Sequence, residues 1–224
     1  MPAHHAAVTQ QIGDSALAAA ALRLLDAGAP LVIGRQPRSG ADYSAPMFIA
    51  AGLPLPPALG KHRLAFRIPR HAIERTAPPL KLADVIPCLP GRWREPLRML
   101  LRGAESIRIE FTVYGSAAWA ALTGETYLTP QSDIDLLWRP KSADQLAAGI
   151  ALLAEWEAIS GLRADGEILF GDDAAVAWRE WNAAASPGPP PRVLVKVIAG
   201  ARLGTRAQML ACLPTVEAGP MTCA

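Results

Sequence analysis

The sequence has few cysteines, and their spacing is that of neither metal ligands nor disulfide partners. Cys88, Cys212 and Cys223 are the three cysteines among 224 residues, and no two of them form a CxxC pair. The sequence therefore indicates neither a disulfide framework nor a cysteine-bound zinc site, and we expect a protein of the reducing cytoplasm.

Histidine clusters and long apolar runs are also missing from the sequence. The four histidines show no metal-ligand spacing. The most apolar stretch near the N-terminus, LAAAALRLL, contains Arg23 and is followed by Asp26. We therefore expect no segment that spans a membrane.

Net charge is small, but the charges are unevenly distributed. The chain carries +2 overall, whereas residues 31–110 hold 13 Lys and Arg against 6 Asp and Glu, a local charge of +7. This pattern favours a basic region that binds an anionic substrate beside an acidic region that binds metal, with chance surface patchiness as the alternative. Because no basic stripe carries interleaved aromatic residues, we expect no nucleic-acid partner.

Composition and periodicity predict a domain boundary near residue 105. Residues 1–105 read as a small basic α/β domain, with a helix over 15–27, strands over 31–33 and 62–68, and a short helix that has Pro96 in its first turn. Residues 106–224 read as the catalytic domain. Four apolar–polar cycles from Ile107 to Tyr114 predict its clearest strand.

The rest of the second domain alternates between helix and strand signals. An S-x-x-Q capping box at Ser142 predicts an amphipathic helix, GEILF and AAVAW predict a hairpin around Gly171, and VLVKVI predicts a final strand. These elements together indicate an α+β fold.

Two aspartates spaced two apart carry the clearest chemical signal in the chain. Asp133 and Asp135 alternate with Ile134 and Leu136. Since residues i and i+2 of a strand project from the same face, both carboxylates can converge on a divalent cation. Oxygen ligands without nearby Cys or His favour Mg²⁺. One alternative is a polar turn before an ordinary strand. Another is a calcium-binding loop, but the apolar residues at 136–138 argue against the calcium loop.

A Gly-Ser turn precedes this pair along the chain. Gly115 lets the backbone approach a phosphate, and Ser116 is predicted to cap the following helix and to donate to a phosphate oxygen. A third carboxylate is expected to complete the metal site or to act as a base, with Asp165 and Glu167 as the candidates and Glu180 as a fallback.

Basic residues for the remaining phosphate charge are predicted in both domains. They are Arg35, Lys61 and Arg63 in the basic region and Lys196 within the apolar strand VLVKVI. A lysine among apolar neighbours needs a partner or a cavity, so Lys196 is expected to meet substrate or a carboxylate of the site.

The blocks GSAAW, LTG and SDIDLLW, together with DGEILF, AVAWREW, VLVK, VIGRQ and PLPPALGKHR, resemble the malonate decarboxylase holo-acyl-carrier-protein synthase family, also called phosphoribosyl-dephospho-CoA transferases. The likeness runs from about Leu31 to Gly204. The resemblance implies a polymerase-β-like nucleotidyltransferase core, a mixed sheet with flanking helices, behind a small N-terminal domain.

The resemblance also implies a reaction. The donor would be 2'-(5''-triphosphoribosyl)-3'-dephospho-CoA, the acceptor a serine of the malonate decarboxylase acyl-carrier subunit, and the leaving group diphosphate, with Asp133 and Asp135 as ligands of Mg²⁺. An adenylyltransferase and a noncatalytic protein that binds the carrier remain as alternatives.

Overall fold

The computed structural model of the chain describes residues 15–36, 47–60, 62–171, 174–183 and 192–214, together with residues 8, 10 and 13. Within these ranges the chain forms a three-stranded sheet and a seven-stranded sheet. Helices and strands follow one another along the chain, so the fold is α+β, in agreement with the prediction. The described residues contain no helix that is long and apolar enough to cross a membrane.

The N-terminal part consists of one helix and the smaller sheet. Helix α1 spans Ala16–Asp26, and Ser15 caps it by accepting a hydrogen bond from the backbone N–H of Ala18 at 3.3 Å. The sheet order is β1-β2-β3, and both pairs are antiparallel. The helix and the strands expected over 31–33 and 62–68 are confirmed. The strands are Val32–Ile33, Phe48–Pro54 and Arg63–Pro69, with short 3₁₀ turns at Pro57–Leu59 and Arg70–Ala72.

The larger sheet takes its first strand well before the expected boundary near residue 105. Strand β4 (Leu80–Lys81) pairs with residues 112–113, and a turn of helix, α2 (Leu82–Val85), follows it. After a 3₁₀ turn at Ile86–Cys88, helix α3 spans Gly91–Ser106. Strand β4 lies on the N-terminal side of the predicted boundary because its pairing with residues 112–113 leaves no local signal in the sequence.

Pro96 lies inside helix α3 rather than in its first turn, so the predicted start of this helix was too late. Pro90 occupies the N-cap position, and Trp93 is completely buried, as are Leu97 and Leu100 one and two turns later. Packing of this apolar face therefore extends the helix N-terminally. The Pro96 carbonyl accepts a hydrogen bond from Trp156 Nε1 at 2.7 Å.

The predicted strand over residues 107–114 is mostly wrong. Strand β5 covers only Thr112–Tyr114, although Ile109, Phe111 and Val113 are buried as the alternation required. Arg108 has a φ of +57°, which places it in the left-handed region and turns the chain after α3. The alternation therefore predicted which side chains are buried, but no strand within the described ranges pairs with residues 107–111.

The remaining elements complete a mixed sheet of order β10-β9-β8-β7-β6-β5-β4. Strands β6 and β7 are parallel and are connected through helix α5, whereas the other neighbours are antiparallel. The hairpin around Gly171 and the apolar strand VLVKVI are confirmed, but that strand is not the last one, because it pairs with a further strand over Gly200–Thr205. The elements are α4 (Gly115–Thr123), β6 (Ile134–Trp138), α5 (Ala143–Ser160), β7 (Ala164–Phe170), β8 (Ala174–Ala177), α6 (Trp178–Ala183), β9 (Arg192–Val197), β10 (Gly200–Thr205) and α7 (Arg206–Leu210).

Helix α5 begins at the predicted capping residue. Ser142 Oγ accepts from the backbone N–H of Gln145 at 3.1 Å, but the Gln145 side chain accepts from Lys141 rather than from Ser142 itself. The same side chain donates to the carbonyls of Ile107 and Arg108 at 3.2 and 2.7 Å. The Gln145 side chain thus links the turn after α3 to the start of α5 by hydrogen bonds.

Helices α3 and α5 cover one face of the larger sheet, which leaves the opposite face for the site. Trp138 of β6 fills the space beside Gly149 of α5, where an added Cβ would lie 2.3 Å from the indole ring. The buried residues of both sheets belong to one continuous core. Polar links also join the two parts: the backbone N–H of Gln36 donates to the Ile198 carbonyl at 3.0 Å, and the Tyr127 hydroxyl donates to the Pro54 carbonyl at 2.9 Å.

Candidate active site

Strand β6 presents its two faces to different environments. Ile134 and Leu136 are buried against the helices, while Asp133, just before the strand, and Asp135 are partly exposed on the opposite face. The alternation of residues in an extended chain thus puts both carboxylates on the open face of the sheet. This is the arrangement that the spacing of the two aspartates predicted.

Strand register brings a row of polar side chains together across three strands. Asp135 is the partner of Tyr114 in β5 and of Asp165 in β7. Residues that are directly opposite on neighbouring strands project from the same face with their Cβ atoms about 5 Å apart. Tyr114, Asp135 and Asp165 therefore form one line of side chains on the open face.

Gly115 lies directly against Asp135 at the beginning of helix α4. Its φ is +63°, and a Cβ at this position would lie 1.8 Å from Asp135 Oδ2. Glycine is therefore required for both its backbone conformation and its lack of a side chain. The sequence predicted that Gly115 approaches a phosphate, and this stays a prediction; the group that lies against Gly115 in the structure is the Asp135 carboxylate.

Ser116 does not cap helix α4, and this correction changes its expected role. The helix begins at Gly115, the N-cap position is Tyr114, and no side chain provides a cap hydrogen bond there. Instead, a backbone hydrogen bond from Ser116 to the Asp135 carboxylate lowers the pKa of that carboxylate. Asp135 thus satisfies one of the amides at the start of the helix from a neighbouring strand.

Acidic neighbours and burial dominate the electrostatics of Asp135. Burial raises its pKa to about 6, the charges of Asp165 and Asp133 contribute in the same direction, and the Ser116 amide and Arg63 act in the opposite direction. Like charges at short distance disfavour simultaneous ionisation, which is the condition that a bound cation relieves. Burial and the nearby carboxylates likewise raise the pKa of the Tyr114 phenol well above its ordinary value.

Asp133 is held at the end of the connection between α4 and β6. Ser132 Oγ accepts from the backbone N–H of Thr129 at 2.9 Å, and Arg92 of α3 donates to the Thr129 carbonyl at 2.7 Å. Arg163, just before β7, approaches Asp133 with 3.6 Å between Nε and Oδ1. Since Arg163 is largely exposed, its attraction for Asp133 is weakened by solvent.

Glu167 and Lys196, predicted separately, form an ion pair. Lys196 Nζ lies 2.5 Å from Glu167 Oε1, on the open face one row beyond Asp165. The lysine within the apolar strand therefore has a carboxylate partner, as its surroundings required. Of the two third-carboxylate candidates, Asp165 lies beside Asp135, whereas Glu167 neutralises a lysine.

The basic residues of the N-terminal part have different positions relative to the carboxylates. Arg63, at the start of β3, is near enough to Asp135 to lower its pKa. Arg35 is exposed and makes no ion pair with a carboxylate in the described ranges. The side chain of its neighbour Gln36 donates hydrogen bonds to the carbonyls of Gly34 and Ala50 and accepts one from the backbone N–H of Ala50. Lys61 lies outside the described residues.

Glu180, the fallback third carboxylate, has a different role in the structure. Its Oε1 accepts a hydrogen bond from the backbone N–H of Leu194 at 2.7 Å, which joins α6 to β9.

Sequence reasoning also missed Tyr114 and Arg163 as neighbours of the aspartates. The sequence shows that Tyr114 directly precedes the Gly-Ser turn. Its position opposite Asp135 depends on strand register, which no local pattern reveals.

Two residues of the site, Asp133 and Asp135, have side chains suited to binding a hard divalent cation. Carboxylate oxygens are the ligands that Mg²⁺ prefers, and it commonly takes one or two carboxylates together with water and substrate phosphate. Within the described residues, no three Asp, Glu, His or Cys side chains are arranged to hold a metal ion together. Asp133 and Asp135 would therefore form an open site that needs further ligands from outside the protein.

Comparison with known proteins places this geometry in a family. The model for the phosphoribosyl-dephospho-CoA transferase MdcG C-terminal domain matches residues 81–207, and that for the corresponding N-terminal domain matches residues 3–79. The chain belongs to the phosphoribosyl-dephospho-CoA transferase family. The two family models meet close to β4, where the larger sheet begins.

Curated members of this family are similar over most of the chain. A phosphoribosyl-dephospho-CoA transferase from Xanthomonas euvesicatoria pv. vesicatoria is 42% identical over 183 residues, which cover 82% of each chain. One from Xanthomonas campestris pv. campestris is 41% identical over 79% of each chain, and one from Bradyrhizobium diazoefficiens is 37% identical over 62% of this chain and 61% of its own. No solved structure matches the chain.

Proposed function

We propose that this transferase moves the phosphoribosyl-dephospho-CoA group from 2'-(5''-triphosphoribosyl)-3'-dephospho-CoA to a serine of the malonate decarboxylase acyl-carrier subunit, with release of diphosphate. The observation that carries the proposal is the contact of Asp135 with Gly115 beside Asp133 and Asp165 on an open sheet face. Family membership supports the identity of the transferred group. The use of Mg²⁺ and a polymerase-β-like nucleotidyltransferase mechanism belong to the same proposal.

Asp133 and Asp135 would hold Mg²⁺ in this reaction. When bound, the cation would neutralise charge on the phosphates during displacement of diphosphate. The raised pKa of Asp135, caused first by burial and then by the charges of Asp165 and Asp133, supports this assignment, because a bound cation offsets both the burial of the charge and the repulsion. The basic side chains of Arg63 and Lys196 would offset the phosphate charge that remains.

Asp165 is the best-placed base for the acceptor. It is exposed, and it lies directly opposite Asp135. The serine oxygen bonds to the phosphorus nearest the ribose, the bond from that phosphorus to the diphosphate oxygen breaks, and the hydroxyl proton passes to the Asp165 carboxylate. The serine comes from the other protein, so this chain supplies no nucleophile of its own; it supplies orientation, charge and the base.

Intact mass spectrometry of the carrier subunit tests the proposal. Incubation with the protein, the donor and Mg²⁺ should raise the carrier mass by one phosphoribosyl-dephospho-CoA group. Asp135→Asn should abolish most of the increase, whereas Asp144→Asn, an identical change at an exposed position of α5, should not. Modification from ATP instead would indicate an adenylyltransferase. Carrier binding without any mass change would indicate an assembly protein.

A further inference from the structure

Tyr114 occupies a position in the row of site residues to which no role has been given. It is the last residue of β5, and it lies directly opposite Asp135 in the antiparallel pair. Its phenol therefore projects onto the open face of the sheet beside the carboxylate. The next residue, Gly115, is the one whose missing side chain makes room for Asp135.

The surroundings of the Tyr114 phenol are acidic. It interacts electrostatically with three carboxylates, those of Asp135, Glu167 and Asp165. Asp135 lies directly opposite Tyr114, and Asp165 lies opposite Asp135 on the next strand, so the phenol is on the same face of the sheet as the candidate carboxylates. When ionised, a carboxylate can only accept hydrogen bonds, whereas a phenol can donate one.

The hydroxyl of Tyr114 has no internal partner in the part of the chain that the structure describes. A half-buried tyrosine usually finds one. Tyr127 illustrates the usual situation, since its hydroxyl donates to the Pro54 carbonyl at 2.9 Å and joins the two parts of the protein. Packing explains the ring of Tyr114, but packing alone would be served equally well by phenylalanine.

Few other donors of the site are free to meet a substrate phosphate. Arg63 is one charged donor near Asp135, but Lys196 can reach a phosphate only by leaving Glu167, and the Ser116 amide already interacts with Asp135. A polyphosphate placed over Asp135 brings acceptor oxygens into a region that is otherwise rich in carboxylates. A neutral O–H donor is suited to such a position, because it binds an anion without forming an ion pair with the neighbouring acids.

We infer that Tyr114 is a substrate-binding residue of this site, and that its hydroxyl donates a hydrogen bond to a phosphate oxygen of the donor when the donor lies over Asp135. The inference rests on the proposed function for the identity of the donor. It adds a neutral donor to the charged residues already considered.

Tyr114→Phe tests the inference because it removes only the hydroxyl and keeps the packed ring. Binding of the triphosphoribosyl-dephospho-CoA donor with Mg²⁺ is measured by calorimetry, and transfer is measured by the mass of the carrier subunit. We expect donor affinity to fall roughly 10- to 100-fold, as for loss of a hydrogen bond to a charged acceptor, with an unchanged melting temperature. Tyr127→Phe removes a hydroxyl from a buried tyrosine that already has a protein partner, and it should leave donor affinity within about twofold of wild type.

The two readouts separate this inference from the proposed function. Donor binding and transfer by Tyr114→Phe at wild-type levels would overturn the role of Tyr114 and leave the function standing. If wild-type protein binds the donor but modifies no carrier, the proposed function fails, and the affinity of Tyr114→Phe still decides the inference. Absence of donor binding by the wild type would overturn both.

Discussion

Gly115 and Asp135 are in such close contact that no side chain fits between them: a Cβ at position 115 would lie 1.8 Å from Asp135 Oδ2 and 2.6 Å from its Cγ. The two residues come from different elements, the start of α4 and the middle of β6. The contact fixes the carboxylate against the beginning of the helix. It makes Gly115 a determinant of where Asp135 points.

Gly115→Ala should therefore remove transfer activity. The methyl group would displace the Asp135 carboxylate, and a misplacement of about 1 Å at a reacting centre commonly costs on the order of 100-fold in rate. The positive φ adds a backbone cost of about 1 kcal/mol or more to folding. Activity is measured by the mass of the carrier, and stability by thermal unfolding.

Gly124→Ala provides the matched control for this substitution. Gly124, at the other end of the same helix, has a φ of +72°, but nothing lies within 4 Å of the position that its Cβ would take. This variant should show the backbone cost in stability while keeping transfer activity. Equal loss of activity in both variants would refute the importance of the contact between Gly115 and Asp135.

The local geometry around the aspartates could be predicted from the sequence because it depends on residues next to one another in the chain. Alternation placed Ile134 and Leu136 inside and Asp135 on the open face. The apolar neighbours of Lys196 predicted that it would meet substrate or a carboxylate of the site. Which carboxylate it meets, and the position of Tyr114 opposite Asp135, could not be predicted because both depend on strand register. Pairing between strands that are distant in sequence leaves no periodic signal.

The error at residues 107–111 has a different physical origin. The apolar residues of this segment are buried in the way that a strand would bury them, so the hydrophobic pattern was read correctly. The backbone takes another course because Arg108 adopts a positive φ and Gln145 binds the carbonyls of Ile107 and Arg108. Periodicity reports which side chains are buried, whereas strand pairing requires a neighbour for the backbone.

Asp135→Asn should stabilise the metal-free protein at neutral pH. The pKa of Asp135 is raised to about 6, so the folded state binds a proton more tightly than the unfolded state, and the free energy of unfolding falls as pH rises toward 6. Asparagine carries no charge and escapes this penalty. In the presence of a chelator, the melting temperature of the variant should exceed that of the wild type at about pH 7.5, and the difference should shrink at about pH 4.5.

Asp144→Asn controls for the general effect of removing one acidic residue. Asp144 is exposed in the first turn of α5, and it is not among the charges that shift the pKa of Asp135. Its substitution should cause no gain in stability at neutral pH, since an acid near a helix N-terminus is favourable. A melting temperature of Asp135→Asn below that of the wild type at about pH 7.5 would argue against carboxylate repulsion at the site.

Tyr127→Phe should weaken the attachment of the smaller sheet without affecting the chemistry directly. The lost hydrogen bond to the Pro54 carbonyl is expected to lower the free energy of unfolding by about 1 kcal/mol. For a protein of this size, the melting temperature should fall by roughly 2–4 °C. The melting temperatures of Tyr127→Phe and Tyr114→Phe are compared by thermal unfolding, because a decrease is expected for Tyr127→Phe alone. Equal shifts in the two variants would contradict it.

Lys196 and Glu167 call for a double-mutant cycle, because the structure pairs them. Lys196 was predicted to meet substrate or a carboxylate of the site, and Glu167 was predicted to complete the metal site or to act as a base. If Lys196 contacts donor phosphate during the reaction, Lys196→Met should raise the KM for the donor about 10-fold, the loss expected for one charge-assisted contact. Glu167→Gln should keep donor binding at least as strong as in the wild type, because the lysine is then free of its carboxylate. The double variant should behave like Lys196→Met.

A purely structural ion pair would give a different pattern in the same cycle. Each single variant would then leave an unpaired charge and lose stability, and the double variant would recover both stability and a normal KM. Lys81→Met supplies the control, because Lys81 forms an exposed ion pair with Glu110, at 2.6 Å, outside the row of site residues. The KM of Lys81→Met for the donor should stay at the wild-type value. A rise in KM that is seen in Lys196→Met, persists in the double variant and is missing from Lys81→Met would show that Lys196 contacts the donor.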